Sequence, residues 1–111
     1  MPVILQTSSD TIVQITNNIV GFVLVYDGYI QAGISLEIMK QATNQILIVY
    51  FQGLLKYKNH ADQVYVRSQA CESILHTWFY KDGLNSVVND EILYNVLSVK
   101  IDNYLKRFQY V

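Results

Sequence analysis

One cysteine, Cys71, is all the thiol chemistry the chain holds, which excludes an internal disulfide and any metal site built from several thiolates. It leaves the redox compartment unmarked, with a lean towards a reducing one. Charge is scarce as well. Charged residues make up 15% of the 111 residues, against roughly 25% in ordinary soluble domains, and no Lys or Arg precedes Lys40. The later basic residues are scattered and matched by acids, leaving a formal net charge of -1. Without a basic stripe there is no counterion-release term to drive nucleic-acid binding, so that partner class is not expected. Only Lys56-Tyr57-Lys58 and Lys106-Arg107, which lie near aromatics, speak for it.

Catalytic signatures are missing too. There is no Gly-rich phosphate loop, no GxSxG, no HExxH and no CxxC. Glu37, Glu72 and Glu91 are the only glutamates, too few for a carboxylate-bridged di-metal bundle, and His60 and His76 cannot fill the usual ligand sets. The expectation is therefore no cofactor, no metal and no enzymatic activity. The longest uncharged runs, Thr11 to Tyr26 and Gln41 to Leu55, fall short of the about 20 apolar residues a membrane span needs and carry Gln and Asn. No membrane insertion is expected. Met1 and Pro2 lead into no basic segment or small-residue cleavage site, so a secretory leader is not expected and a cytoplasmic location is.

What the chain has in quantity is apolar residues, 51% of it, in a length that fits a single domain over residues 1–111. Four amphipathic segments carry them. The first, about Asp10 to Gln31, is rich in β-branched residues, and Asp27-Gly28 could turn a hairpin from about Ile19 to Ile34. Yet Ile12, Ile15, Ile19, Phe22, Tyr26 and Tyr29 recur at spacings of three and four, and period is weighted above propensity because burial overrides the latter. The Ser8-Ser9-Asp10 cluster supplies an N-cap. A second helix runs from a Ser35 cap to about Lys58 with Met39, Ala42, Ile46, Val49, Tyr50, Gly53 and Tyr57 inward, Gly53 marking close approach of a neighbouring helix. Asn59 caps a third, His60 to Tyr80, which stops at Lys81-Asp82-Gly83. A fourth begins near Ser86 or Asn89 and ends with Lys106 and Arg107, its stripe Leu93, Leu97, Ile101, Tyr104 and Phe108. The spacing predicts an all-α antiparallel four-helix bundle. The competing fold is α+β, an N-terminal β-hairpin packed on three helices.

Chemistry-bearing residues concentrate in ACESILHTWFY, Ala70 to Tyr80. At about 100° per residue Cys71 falls with Val64, Ile74, Leu75 and Trp78, whereas His76 lies about 140° round from Cys71, so the two form no local dyad. Cys71 reads as a small buried hydrophobe and Trp78 as core. Arg67 sits on the same stripe, where it could lower the thiol pKa, pair with a carboxylate of another helix, or lie along the bundle edge with its head in water. Glu72 and His76 share the outer face as an ordinary surface pair.

The second helix carries an anomaly. Beyond its inward stripe, Ile48, Phe51 and Leu55 recur on the far side, giving it two apolar faces; helix four repeats this more weakly with Val88, Ile92 and Val99. A second apolar face marks either an interaction site or a helix enclosed by the N-terminal segment. The leading expectation is a small helical protein-protein interaction module, a regulatory adaptor or assembly factor. It would form a homo-oligomer or dock on a larger protein partner through helix two, with Ile48, Phe51 and Leu55 as anchors and Asn44, Gln45 and Gln52 as polar contacts. Two alternatives are a small apolar ligand carrier, with a pocket between helices lined by Trp78, Tyr50, Phe22 and Tyr104, and a thiol enzyme at Cys71.

Overall fold

The computed structural model of the chain describes residues 8–24, 36–78 and 91–108. The β-branched N-terminal segment is helical: α1 spans Ser9–Leu24. Its start is fixed by Ser8, whose Oγ accepts from the Thr11 amide at 3.1 Å and whose carbonyl takes the first helical bond from Ile12. Ile12, Ile15, Thr16, Ile19 and Val20 are buried, while Val13, Gln14, Asn17 and Asn18 face solvent. A β-branched residue costs a helix a few tenths of a kcal/mol, and burying its side chain contributes about 1.5 to 3 kcal/mol, so burial decides the conformation. Helix over Ile19 to Leu24 removes the first half of the hairpin alternative, and no strand occurs among the described residues. Tyr26, the Asp27-Gly28 turn and Tyr29 lie outside them.

The second helix, α2, runs Leu36–Lys56 with Glu37 in its first turn and Lys56 in its last, each complementing the helix dipole. Only Tyr57, Lys58 and Asn59 separate it from α3, His60–His76, which begins as the sequence indicates, with the Asn59 side chain accepting from the Asp62 amide at 2.8 Å. A wider π-type turn continues α3 through Thr77 and Trp78. Helix α4 covers Glu91–Leu105. The expected caps at Ser35, Lys81-Asp82-Gly83, Ser86 and Asn89 lie outside the described residues, as does Tyr80.

The helices form a four-membered ring in chain order, α1 on α2, α2 on α3, α3 on α4 and α4 back on α1. Pairings between α3 and α4 run in opposite senses, Arg67 with Asp102 and Cys71 with Ser98, and so do Thr43 with Trp78 and Gly53 with Val66 between α2 and α3. The chain is the expected antiparallel four-helix bundle. Its core contains Ile15 and Ile19 of α1, Met39, Leu47 and Leu54 of α2, Ile74, Leu75 and Trp78 of α3 and its π-type turn, and Leu97 and Ile101 of α4, all at most 2% exposed. Among the described residues no helix is long and apolar enough to cross a membrane.

The inward face of α2 is not the expected one. Met39, Thr43, Leu47, Tyr50, Phe51 and Leu54 are buried, whereas Val49 and Tyr57 are 66% and 40% exposed. The real stripe is rotated by roughly 80° from the expected one. Thr43 explains the slip. It is fully buried because its Oγ1 accepts from the Trp78 indole Nε1 at 3.0 Å, and a pattern counted on apolar residues alone steps over a polar core position. On α3 the correction is smaller: Val64 is exposed because Gln63 and Arg67 take the inner positions of the first two turns.

Candidate functional site

Rotation of α2 leaves part of its expected core stripe lining a furrow against α3. Ile46, Val49, Gly53 and Tyr57 form one wall and Tyr65, Val66 and Ala70 the other, around a volume of about 460 Å³. None of the described residues lining the furrow carries a charge. At its lips stand two exposed side chains, Val49 at 66% and Tyr65 at 65%. Gly53 has the role expected of it: a Cβ there would stand 2.8 Å from Cγ1 of Val66, closer than carbon atoms pack, so its lack of a side chain lets the two helices approach.

The interface residues expected on α2 do not form one surface. Ile48 and Leu55 are 40% and 46% exposed, and Gln52 is exposed, but Phe51 is only 5% exposed. Phe51 is a core residue. Its ring meets those of Tyr50 at 5.2 Å and Phe108 at 5.9 Å, both edge-on, because α2 is covered on that side and the end of α4 folds over it. Asn44 is half-buried and is engaged inside the molecule, accepting the Thr16 hydroxyl of α1. Gln45 lines the α2/α3 furrow instead. Of the weaker apolar face on the fourth helix, Val99 is 60% exposed; Val88 and the Ile92 side chain lie outside what the structure describes.

Burial keeps the Cys71 thiol protonated. It is 5% exposed and donates weakly to the Ser98 carbonyl at 3.5 Å. Burial pushes the thiol pKa up, against the smaller lowering effect of Ser98. The Arg67 guanidinium is directed elsewhere: its Nε donates to Asp102 of α4 at 2.9 Å, and Lys106 approaches the other oxygen of that carboxylate at 3.9 Å. Arg67 pairs with a carboxylate of another helix, and its charge also acts to lower the thiol pKa, an effect that burial outweighs. The cavity beside the thiol is lined by Ser68, Glu72, Tyr94, Ser98 and Asp102 and includes no histidine. Glu72 and His76 are both exposed, and among the described residues no three of His, Cys, Asp and Glu converge on a point.

The aromatics expected to share a ligand pocket are not brought together. Trp78 is fully enclosed, and Phe22 pairs with Tyr104 across α1 and α4, ring centroids 6.0 Å apart. Tyr50 ties two helices together. Its hydroxyl lies 3.1 Å from the Leu105 carbonyl and 3.0 Å from that of Phe108, a cap for the C-terminal end of α4 supplied by α2. Burial raises the pKa of that phenol above its ordinary range. No protein-family model, curated protein or solved structure matches the chain.

Sequence reasoning missed Thr43 and Asp102. The signal for Asp102 was present, since a buried arginine requires an acid and α4 offers one Asp among its inner half-turns; for Thr43 the only signal was the need of a buried indole for an acceptor.

Proposed function

We propose that the protein is a small helical interaction module that pairs with a second copy of itself through the α2/α3 furrow, as a regulatory adaptor or assembly factor would. The observation that carries this is the uncharged furrow with Val49 and Tyr65 standing two-thirds exposed at its lips. The lining side chains carry no charge and meet their own copies without like-charge repulsion, as an isologous two-fold contact requires, while Lys56 lies over the Tyr57 ring at 5.2 Å.

Burying Val49, Tyr57 and Tyr65 on both sides contributes roughly 1.5 to 3 kcal/mol per side chain, offset by about 4 to 15 kcal/mol of lost motional freedom. A dissociation constant on the order of micromolar corresponds to a surplus of about 8 kcal/mol, which lies within the span of these two terms. Light scattering on a size-exclusion column, from about 1 to 100 μM protein, tests it. The native chain is expected to shift from monomer to dimer across that range, and Val49→Asp, at an exposed position, to stay monomeric with an unchanged helical spectrum. A native chain monomeric throughout overturns self-pairing.

A further inference from the structure

The furrow on the opposite edge of the ring, between α1 and α4, has a different chemistry. Asn18 and Phe22 of α1 face Lys100, Asn103, Tyr104 and, just beyond the end of α4, Arg107 around a volume of about 370 Å³. The edge-on pair Phe22 and Tyr104 forms its apolar base. Each cation lies over one of these rings, Lys100 Nζ 6.0 Å from the Phe22 centroid and the Arg107 guanidinium carbon 5.0 Å from that of Tyr104. Lys100 and Arg107 both line the furrow, with Asn103 between them in sequence.

Among the described residues neither cation is within 4.0 Å of a carboxylate; Asp102, their neighbour in sequence, is occupied by Arg67 and Lys106. Packing of an aliphatic stem would account for one such side chain on a helix surface. Two cations held over adjoining rings, flanking one concavity with amides from both walls, form a preorganised site for negative charge. The ring faces restrict the charged heads before any ligand arrives, which lowers the ordering cost of binding. The Asn18 amide is itself oriented, its Nδ2 donating to the Gln14 carbonyl at 2.9 Å and keeping a second N–H for a ligand.

We propose that this furrow binds a phosphate-class dianion, its oxygens shared between Lys100 and Arg107 with the amides of Asn103 and Asn18 as further donors. Guanidinium and ammonium groups on two sides of one anion make charge-assisted hydrogen bonds, the strongest such contacts an exposed site can offer. The site is independent of the α2/α3 furrow.

The test is a ¹H–¹⁵N NMR titration of the full chain at low ionic strength, since exposed charges are screened within about 10 Å at 0.1 M salt. Inorganic phosphate, pyrophosphate and adenosine monophosphate are added separately. Saturable shifts are expected in the Asn18 and Asn103 side-chain amides and along residues 100–107. The double variant Lys100→Gln/Arg107→Gln should bind at least tenfold more weakly while keeping the native spectrum elsewhere. Equal saturation by all three compounds identifies a site that reads the dianion alone, and tenfold tighter binding of the nucleotide identifies one that also takes its organic body. Shifts that do not saturate, that fall outside this furrow, or that persist unchanged in the double variant overturn the proposal.

Discussion

The two furrows are cut between helices of one bundle and differ in what spaces their walls. Between α2 and α3 the spacer is Gly53, and the walls close until Val66 fills the room a Cβ would take. Between α1 and α4 the spacers are rings, Phe22 against Tyr104 at 6.0 Å, and the ring faces left over hold Lys100 and Arg107. Among the described residues the lining of the first furrow carries no charge, and Lys56, over the Tyr57 ring at 5.2 Å, stands at the end of α2. In the second the cations are part of the lining itself. The contrast is between a contact closed by backbone approach and one spaced by rings whose free faces hold charge.

The comparison breaks most completely when the core behind both furrows is disrupted. Phe51→Glu places a carboxylate at a position 5% exposed, against the rings of Tyr50 and Phe108. A loss above about 4 kcal/mol is expected, combining a cavity with an unpaired buried charge. Ile48→Glu, three residues earlier and 40% exposed, should change stability by less than about 0.5 kcal/mol. Urea unfolding followed by circular dichroism measures both. Similar losses at the two positions would mean that α2 has one face where two are described.

Alkaline pH is the next way to break it, because it acts on two groups buried in the bundle, Cys71 and Tyr50. Cys71 and Tyr50 both have folded-state pKa values above their ordinary ones, chiefly through burial. In each case the folded chain keeps a proton that the unfolded chain releases, so the contribution to stability is complete below the ordinary pKa and falls as pH rises past it. Stability should decline from about pH 9, the ordinary thiol value of 9.0, and more steeply above the ordinary phenol value of 10.0. Each group adds a slope of at most about 1.4 kcal/mol per pH unit. In Cys71→Ala the decline should begin about one unit higher. A native chain equally stable at pH 8 and pH 10.5 would contradict the burial of both groups. A thiol reagent at neutral pH offers a companion measurement, with reaction expected only on unfolding.

The bundle itself was legible in the sequence because period survives where propensity misleads. Ile12, Ile15 and Ile19 of α1 and Leu97 and Ile101 of α4 are buried where spacing places them. The caps at Ser8 and Asn59 were equally readable, since capping is a local matter of one side chain and the amide three residues on. What spacing could not supply was the rotation of α2. That depends on Thr43 meeting Trp78 and Asn44 meeting Thr16, polar contacts made across 35 and 28 positions of sequence. A mistake in rotation moved the candidate surface by one side of a helix: Phe51 became core, and Val49 and Tyr57, taken for core, became the exposed flank of the α2/α3 furrow. The cationic furrow was hidden for a related reason. Lys100 and Arg107 look scattered along the chain, and only the docking of α1 beside α4 gives them Phe22 and Asn18 as neighbours.

The smallest expected effect contrasts Gly53, in the α2/α3 furrow, with Gly21 of α1, which is in neither lining. Both lie inside helices, where replacing Gly by Ala gains about 1 kcal/mol from backbone entropy alone. At Gly21 of α1 an added Cβ meets nothing within 4 Å among the described residues, so Gly21→Ala should realise that gain. At Gly53 the same methyl would sit 2.8 Å from Val66 Cγ1 and 3.4 Å from Cγ2. A β-branched side chain on a helix has one strongly preferred rotamer and cannot turn aside cheaply, so overlap costs about 1 to 3 kcal/mol and outweighs the propensity. Gly53→Ala should therefore destabilise by about 1 kcal/mol where Gly21→Ala stabilises. Val66→Ala should cost less in the Gly53→Ala background than in the native chain, because there it relieves the overlap it otherwise leaves as a gap. Equal gains at both glycines would show that α2 and α3 can separate freely at Gly53, and the contrast between a furrow closed by backbone approach and one spaced by rings would no longer hold.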